Sequence, residues 1–83
     1  STVSASLSDE IKSLIAEITE LEVGAIAEDS HLVMDLGADS MAALELMAAL
    51  EKKYNIVIDP EFLPEMHSLA SITDLVERVK GSG

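Results

Sequence analysis

The segment from Ser40 to Lys53 most narrows what this chain can fold into. Met41, Leu44, Met47 and Ala48 recur at helical spacing, Leu46 and Leu50 widen the stripe, and Ala42, Ala43 and Ala49 are strong helix formers. Asp39 or Ser40 can cap its start, and Lys52 and Lys53 stand where the helix dipole is negative. The segment is therefore expected to be a helix with one face to bury.

The rest of the chain supplies partners for that face. Leu7, Ile11, Leu14, Ile15 and Ile18 fall on one side of a helix expected from about Leu7 to Thr19, after a frayed polar start over residues 1–5. Ser6 and Asp9 resemble a capping box at its beginning. From Glu20 to Asp39 no helical stripe runs, yet Leu21, Val23, Ile26, Leu32, Val33 and Leu36 suggest a loop draped over the core. Tyr54, Ile56 and Ile58 alternate, but a lone strand has nothing to pair with, so an extended connector is expected up to Asp59-Pro60. Glu61 to Met66 reads as a short helical turn limited by Pro64. A last helix is expected from about Ile72 to Lys80, capped by Ser71 and Asp74, with Ile72, Leu75, Val76 and Val79 as its stripe and Gly81-Ser82-Gly83 ending it. There is no internal repeat. Residues 1–83 read as one all-α domain with its core at about 7–80.

At 83 residues the chain has room for one domain that buries a modest share of its surface. Apolar residues make up 48%, but Tyr54 and Phe62 are the only aromatics, so the core has to be Leu, Ile, Val, Met and Ala. A deep catalytic cleft is hard to build at this size, whereas a helix bundle with one surface site is easy.

A formal net charge of −11 argues against nucleic acid or an anionic membrane surface and favours partners with basic surfaces. Acids that only keep a small protein soluble are the plain alternative. The absence of cysteine excludes disulfides, thiolate metal sites and a protein-borne catalytic thiol, and suits a reducing cytoplasm. No apolar run is long enough to span a membrane, and no signal-peptide pattern is present. The chain opens on Ser-Thr and not on Met, which leaves processing or excision from something larger open.

The most informative segment is Asp35-Leu36-Gly37-Ala38-Asp39-Ser40-Met41. Gly37 permits a tight turn, and Asp39-Ser40 then opens the long helix. The Ser40 hydroxyl lies near the positive end of the helix dipole, where an attached phosphate is favoured. Taken alone, the serine reads first as a simple helix cap. His31 and His67 stand on different connectors without metal-ligand spacing and read as surface or capping histidines. Asp35 and Asp39 fail as a calcium loop, since Gly37 and Leu46 occupy positions that need oxygen ligands. No metal site is expected.

That segment, followed by Leu44-Glu45-Leu46 and Leu50-Glu51, resembles the signature of acyl carrier proteins, and the order of elements is similar from about Leu7 to Val79. The resemblance implies a four-helix bundle of acyl-carrier type, with a short third helix and a long first loop. It implies that Ser40 carries covalent 4′-phosphopantetheine derived from coenzyme A, which makes the chain a phosphoprotein, and that Asp39 is read by the phosphopantetheinyl transferase. It further implies that Asp35, Met41, Glu45 and Glu51 meet basic-surfaced partners such as acyl transferases and ketosynthases. Met41 replaces the usual leucine after the serine, Ala42 replaces a frequent acid, and Lys52 and Lys53 stand in a region that is often acidic. These departures bear on partner choice.

The implied function is carriage of acyl intermediates as thioesters in fatty acid, polyketide or lipid-precursor biosynthesis, by a monomeric protein that catalyses nothing itself, whether it stands alone or was cut from a larger synthase. A pantetheine arm would supply the thiol the chain lacks. A core without bulky aromatics is deformable, so an acyl chain between the helices and a plain packed core both remain open. Other readings are a D-alanyl carrier, a peptidyl carrier (from whose Gly-Gly motif Ala38 departs), an acidic helical adaptor without a prosthetic group, and a small calcium-binding protein.

Overall fold

The computed structural model describes the backbone of residues 2–82 and the side chains of residues 7–81. Among the described residues there are three α-helices, α1 (Thr2–Thr19), α2 (Ser40–Tyr54) and α3 (Leu69–Ser82), and a short 3-10 helix at Pro60–Glu65 stands third in the bundle's chain order, between α2 and α3. A single 3-10 turn, Val23–Ala25, interrupts the first loop. No strand occurs among the described residues, where His31 and Ser68 form an isolated antiparallel bridge. The all-α bundle with a short third helix and a long first loop is thus observed.

Helix α1 packs against both α2 and α3, and the 3-10 helix packs against α3. Leu7, Ile11 and Ile15 from α1, Leu46 and Leu50 from α2, and Leu69, Ile72, Leu75 and Val76 from α3 form one buried core. Ile26 and Leu32 reach into it from the first loop and Ile58 from the connector. The loop is draped over the core as expected, although Leu21, Val23 and Val33 stay exposed. The connector alternates as its residues suggest, with Ile56 half-buried, Ile58 buried and Val57 outward.

Three expectations are corrected. Helix α1 starts at Thr2, so Ser6 lies within it and cannot be its N-cap; no Gly or Pro in residues 2–6 stops the backbone ladder from extending that far. Helix α3 starts at Leu69, and its capping box is Ser68–Ser71. The Ser71 N–H donates to Ser68 Oγ at 3.2 Å and the Ser68 N–H to Ser71 Oγ at 3.0 Å, so the box sits one turn before the Ser71–Asp74 pair. Helix α3 also runs through Gly81 to Ser82.

The third correction concerns α2, whose Leu46 and Leu50 are buried with Ala42 and Met47 packed on the core, while Met41, Leu44 and Ala48 face outward. The two stripes lie on roughly opposite faces of the helix, and only one of them meets α1. The helix ends as its composition suggests. Asn55 takes the left-handed conformation at φ 54° and donates its N–H to Glu51 O.

Candidate functional site

The approach to α2 is a hydrogen-bonded turn over residues 31–37. The Asp35 and Leu36 N–H groups donate to His31 O at 2.8 and 3.1 Å, and the Gly37 N–H donates to Val33 O at 3.2 Å. Gly37 has φ +74°, the left-handed region where a glycine costs least. Ala38 is buried and its N–H donates to Leu32 O at 2.8 Å, which anchors the turn to the core just before the helix.

Asp39 is then the N-cap of α2. Its Oδ1 accepts the Ala42 N–H at 2.9 Å and its backbone oxygen accepts the Ala43 N–H at 3.0 Å. Ser40 is the first helical residue and is exposed, so its hydroxyl projects at the positive end of the α2 dipole.

Apolar side chains of the turn and of the first part of α2 stand in solvent: Met34 is 83% exposed, Met41 70% and Leu44 48%. From Ser13 to Glu51 the chain has no lysine or arginine, while Glu17, Glu20, Glu22, Glu28, Asp29, Asp35, Asp39, Glu45 and Glu51 all fall there. The Ser40 end therefore combines negative charge with exposed apolar surface.

The structure brings Asp35, Asp39, Ser40, Met41 and Glu45 to the turn and the first part of α2, all exposed. Asp35 also serves the turn, its Oδ2 accepting the His31 N–H at 2.7 Å. Glu51 stands apart, about 16 Å from Ser40 along the helix at 1.5 Å per residue. It is half-buried, and its Oε2 accepts the N–H of buried Ile58 at 2.7 Å. That carboxylate pins the connector to α2.

Between α1 and the first part of α2, Ile15, Ile18, Leu32, Ala42 and Leu46 line an apolar cavity of about 10 Å³. This is space for about one water, so any acyl tail would have to part the helices to enter here. His31 and His67, far apart in sequence, stack with ring centroids 5.9 Å apart. No group of three or more metal-ligating side chains occurs among the described residues.

The phosphopantetheine attachment site family matches residues 9–79. An acyl carrier protein of Wolinella succinogenes is 38% identical over 87% of this chain and 91% of its own length, and one of Campylobacter fetus is 36% identical over 88% and 91%. The chain belongs to the acyl carrier protein family. The fold agrees with a solution structure of the apo doublet acyl carrier protein from prodigiosin biosynthesis, at a TM-score of 0.80 and 22% identity over 94% of this chain. This chain spans 38% of that longer one.

As a member of this family the chain is a carrier and not a catalyst, and its prosthetic group is covalent 4′-phosphopantetheine. The residues present fit that group. An exposed alcohol stands on a rigid, capped helix start, and a phosphodiester formed there meets the N-terminal backbone dipoles of α2. The sequence reading missed the outward face of Leu44 and the exposed Met34. Their only signal was an apolar residue beside the serine motif, which periodicity assigns to the core as readily as to the surface.

Proposed function

We propose that Ser40 is the residue that carries the phosphopantetheine arm, and that residues 1–83 act as one carrier domain in fatty acid, polyketide or lipid-precursor biosynthesis. The observation that carries the assignment is Ser40 exposed as the first residue of α2, directly behind the N-capping Asp39. In the loading reaction the Ser40 hydroxyl attacks the β-phosphate of coenzyme A. The new bond is Ser40 Oγ to phosphorus, the bond to the nucleotide half breaks, and adenosine 3′,5′-bisphosphate leaves. The Ser40 proton passes to a base of the transferase, which also supplies the Mg²⁺. Once attached, the arm supplies the thiol on which acyl groups ride as thioesters.

In this reading Asp39 is what the phosphopantetheinyl transferase reads beside the serine. Asp35, Met41 and Glu45 form the face offered to basic-surfaced acyl transferases and ketosynthases, and Glu51 contributes charge at its far edge. The absence of cations from Ser13 to Glu51 supports this, because a partner's basic surface is attracted to that end without local repulsion. A monomer in the cytoplasm fits the charge and the missing cysteines. No helix among the described residues is long and apolar enough to cross a membrane.

Intact mass after incubation with coenzyme A, Mg²⁺ and a promiscuous phosphopantetheinyl transferase tests the assignment. Wild type is expected to gain one phosphopantetheine and Ser40→Ala none. Equal gain by both proteins would move the attachment to another residue, and no gain by folded wild type would remove it.

A further inference from the structure

The N–H groups of Val33 and Met34 both donate to His31 Nδ1, each at 3.2 Å. Two donors aimed at one ring nitrogen require it to be unprotonated, so the imidazole is neutral with its proton on Nε2. An imidazolium donates from both nitrogens and cannot accept either bond. The rest of His31 is held as well, by the Asp35 carboxylate on its N–H and by the Asp35 and Leu36 N–H groups on its oxygen.

The turn has a second clasp across the fold. His67 O accepts the Leu32 N–H at 2.8 Å, and the His67 ring stacks on His31 with an interplanar angle of 23°. Leu32 O in turn accepts the Ala38 N–H, and the next residues are the capping Asp39 and Ser40. A continuous set of bonds thus runs from the His31 ring to the start of α2.

We infer that His31 is a positioning residue: as a neutral imidazole stacked on His67 it holds the turn that presents Ser40, and its protonation loosens that turn. The second half of this rests on Ser40 being the attachment residue. His31 is half-buried and His67 exposed, so protons reach both rings. Titratable groups on the surrounding elements are His67 between the 3-10 helix and α3, Asp35 within the turn, Asp39 at the start of α2, and Glu28 and Asp29 on the loop stretch where Glu28 O accepts the Ala70 N–H. The first turn of α3, from Leu69 to Ile72, brings no ionisable side chain. With both rings protonated, two cations would face each other across the 5.9 Å stack. Val33 and Met34 are exposed, so their released N–H groups turn to water and the turn loosens without the core opening.

The test compares wild type with His31→Asn, whose side-chain oxygen accepts N–H groups two and three residues on but does not titrate. In the apo protein, protection of the Val33 and Met34 amides against hydrogen exchange, corrected for intrinsic rates, is expected to fall from pH 7.5 to 5.5 in wild type and to stay level in His31→Asn. The phosphopantetheinylation rate of wild type divided by that of His31→Asn, in which the transferase's own pH dependence cancels, is expected near one at pH 7.5 and severalfold lower at pH 5.5. Level wild-type protection, or an equal fall in both proteins, overturns the clasp. A flat rate ratio overturns its link to Ser40. Absence of modification in either protein at any pH would instead defeat the attachment assignment, and amide exchange still decides the clasp.

Discussion

Glu45 and Glu51 are the same residue type on the same helix, yet the fold uses them differently. Glu45 is exposed on the outward face of α2, whereas Glu51 is half-buried and spends one oxygen on the Ile58 N–H. A buried donor left without a partner costs about 1–3 kcal/mol. Glu51→Ala is therefore expected to lower stability by about that amount in a denaturant titration. Glu51→Gln keeps an acceptor and should cost less. If Glu51→Gln also binds basic partners as well as wild type, the residue's role is structural alone; weakened binding at unchanged stability would show that its charge is also read. Asp39 combines roles in the same way, as a cap through its side-chain oxygen and as the acid beside Ser40.

At the scale of elements, the two long helices outside α1 start by different chemistry. Helix α2 is opened by one carboxylate, while α3 is opened by the reciprocal Ser68–Ser71 pair, with Ser71 Oγ also donating to Ser68 O at 3.0 Å. Ser68 is itself buried and its backbone bridges to His31, so the α3 start and the turn before Ser40 share an anchor. Ser68→Ala removes a cap worth about 1 kcal/mol. Because the anchor is shared, the Leu32 and Ala38 amides are expected to lose exchange protection together with the first turn of α3. Loss confined to α3 would show the two starts to be independent. The salt bridge from Arg78 to Glu65 at 2.6 Å ties α3 to the 3-10 helix, but both side chains are about half exposed and the pair is worth little.

Across the whole molecule, charge and packing divide along α2. The Ser40 end has acids and exposed apolar residues, and the far end gathers cations around Tyr54. Lys80 Nζ lies 4.9 Å and Lys53 Nζ 5.9 Å from the centre of that ring. The Tyr54 hydroxyl donates to Glu10 Oε1 at 2.7 Å and so joins α2 to α1. Burial, and next the hydrogen bond to the Glu10 carboxylate, push the phenol above its ordinary range. Since the folded value is raised, this contribution to stability is complete below about pH 10, the unfolded value, and is lost as pH climbs beyond it. Tyr54→Phe keeps a ring for the lysines and removes only the hydroxyl. The melting temperature of wild type is thus expected to fall more steeply than that of Tyr54→Phe between pH 9 and 11, and parallel curves would refute the assigned tie.

Local rules acting over a few residues were enough to read the helical class, a cap at Asp39 or Ser40, the turn at Gly37 and the exposed serine after it. Each depends on backbone preference or side-chain reach within about one helical turn. What α2 buries was not decided at that range. Its sequence carries apolar residues on two faces, and only the position of α1 determines that Leu46 and Leu50 go inside while Met41 and Leu44 stay at the surface beside Ser40. The bond of Glu51 to Ile58, that of Tyr54 to Glu10 and the stacking of the two histidines likewise depend on partners beyond one helical turn, which local spacing cannot specify. His31 and His67 come together because Leu32 and Leu69 are drawn into the same core, carrying their neighbours with them. Tertiary burial, acting on the chain as a whole, turned separate residues into a supported site.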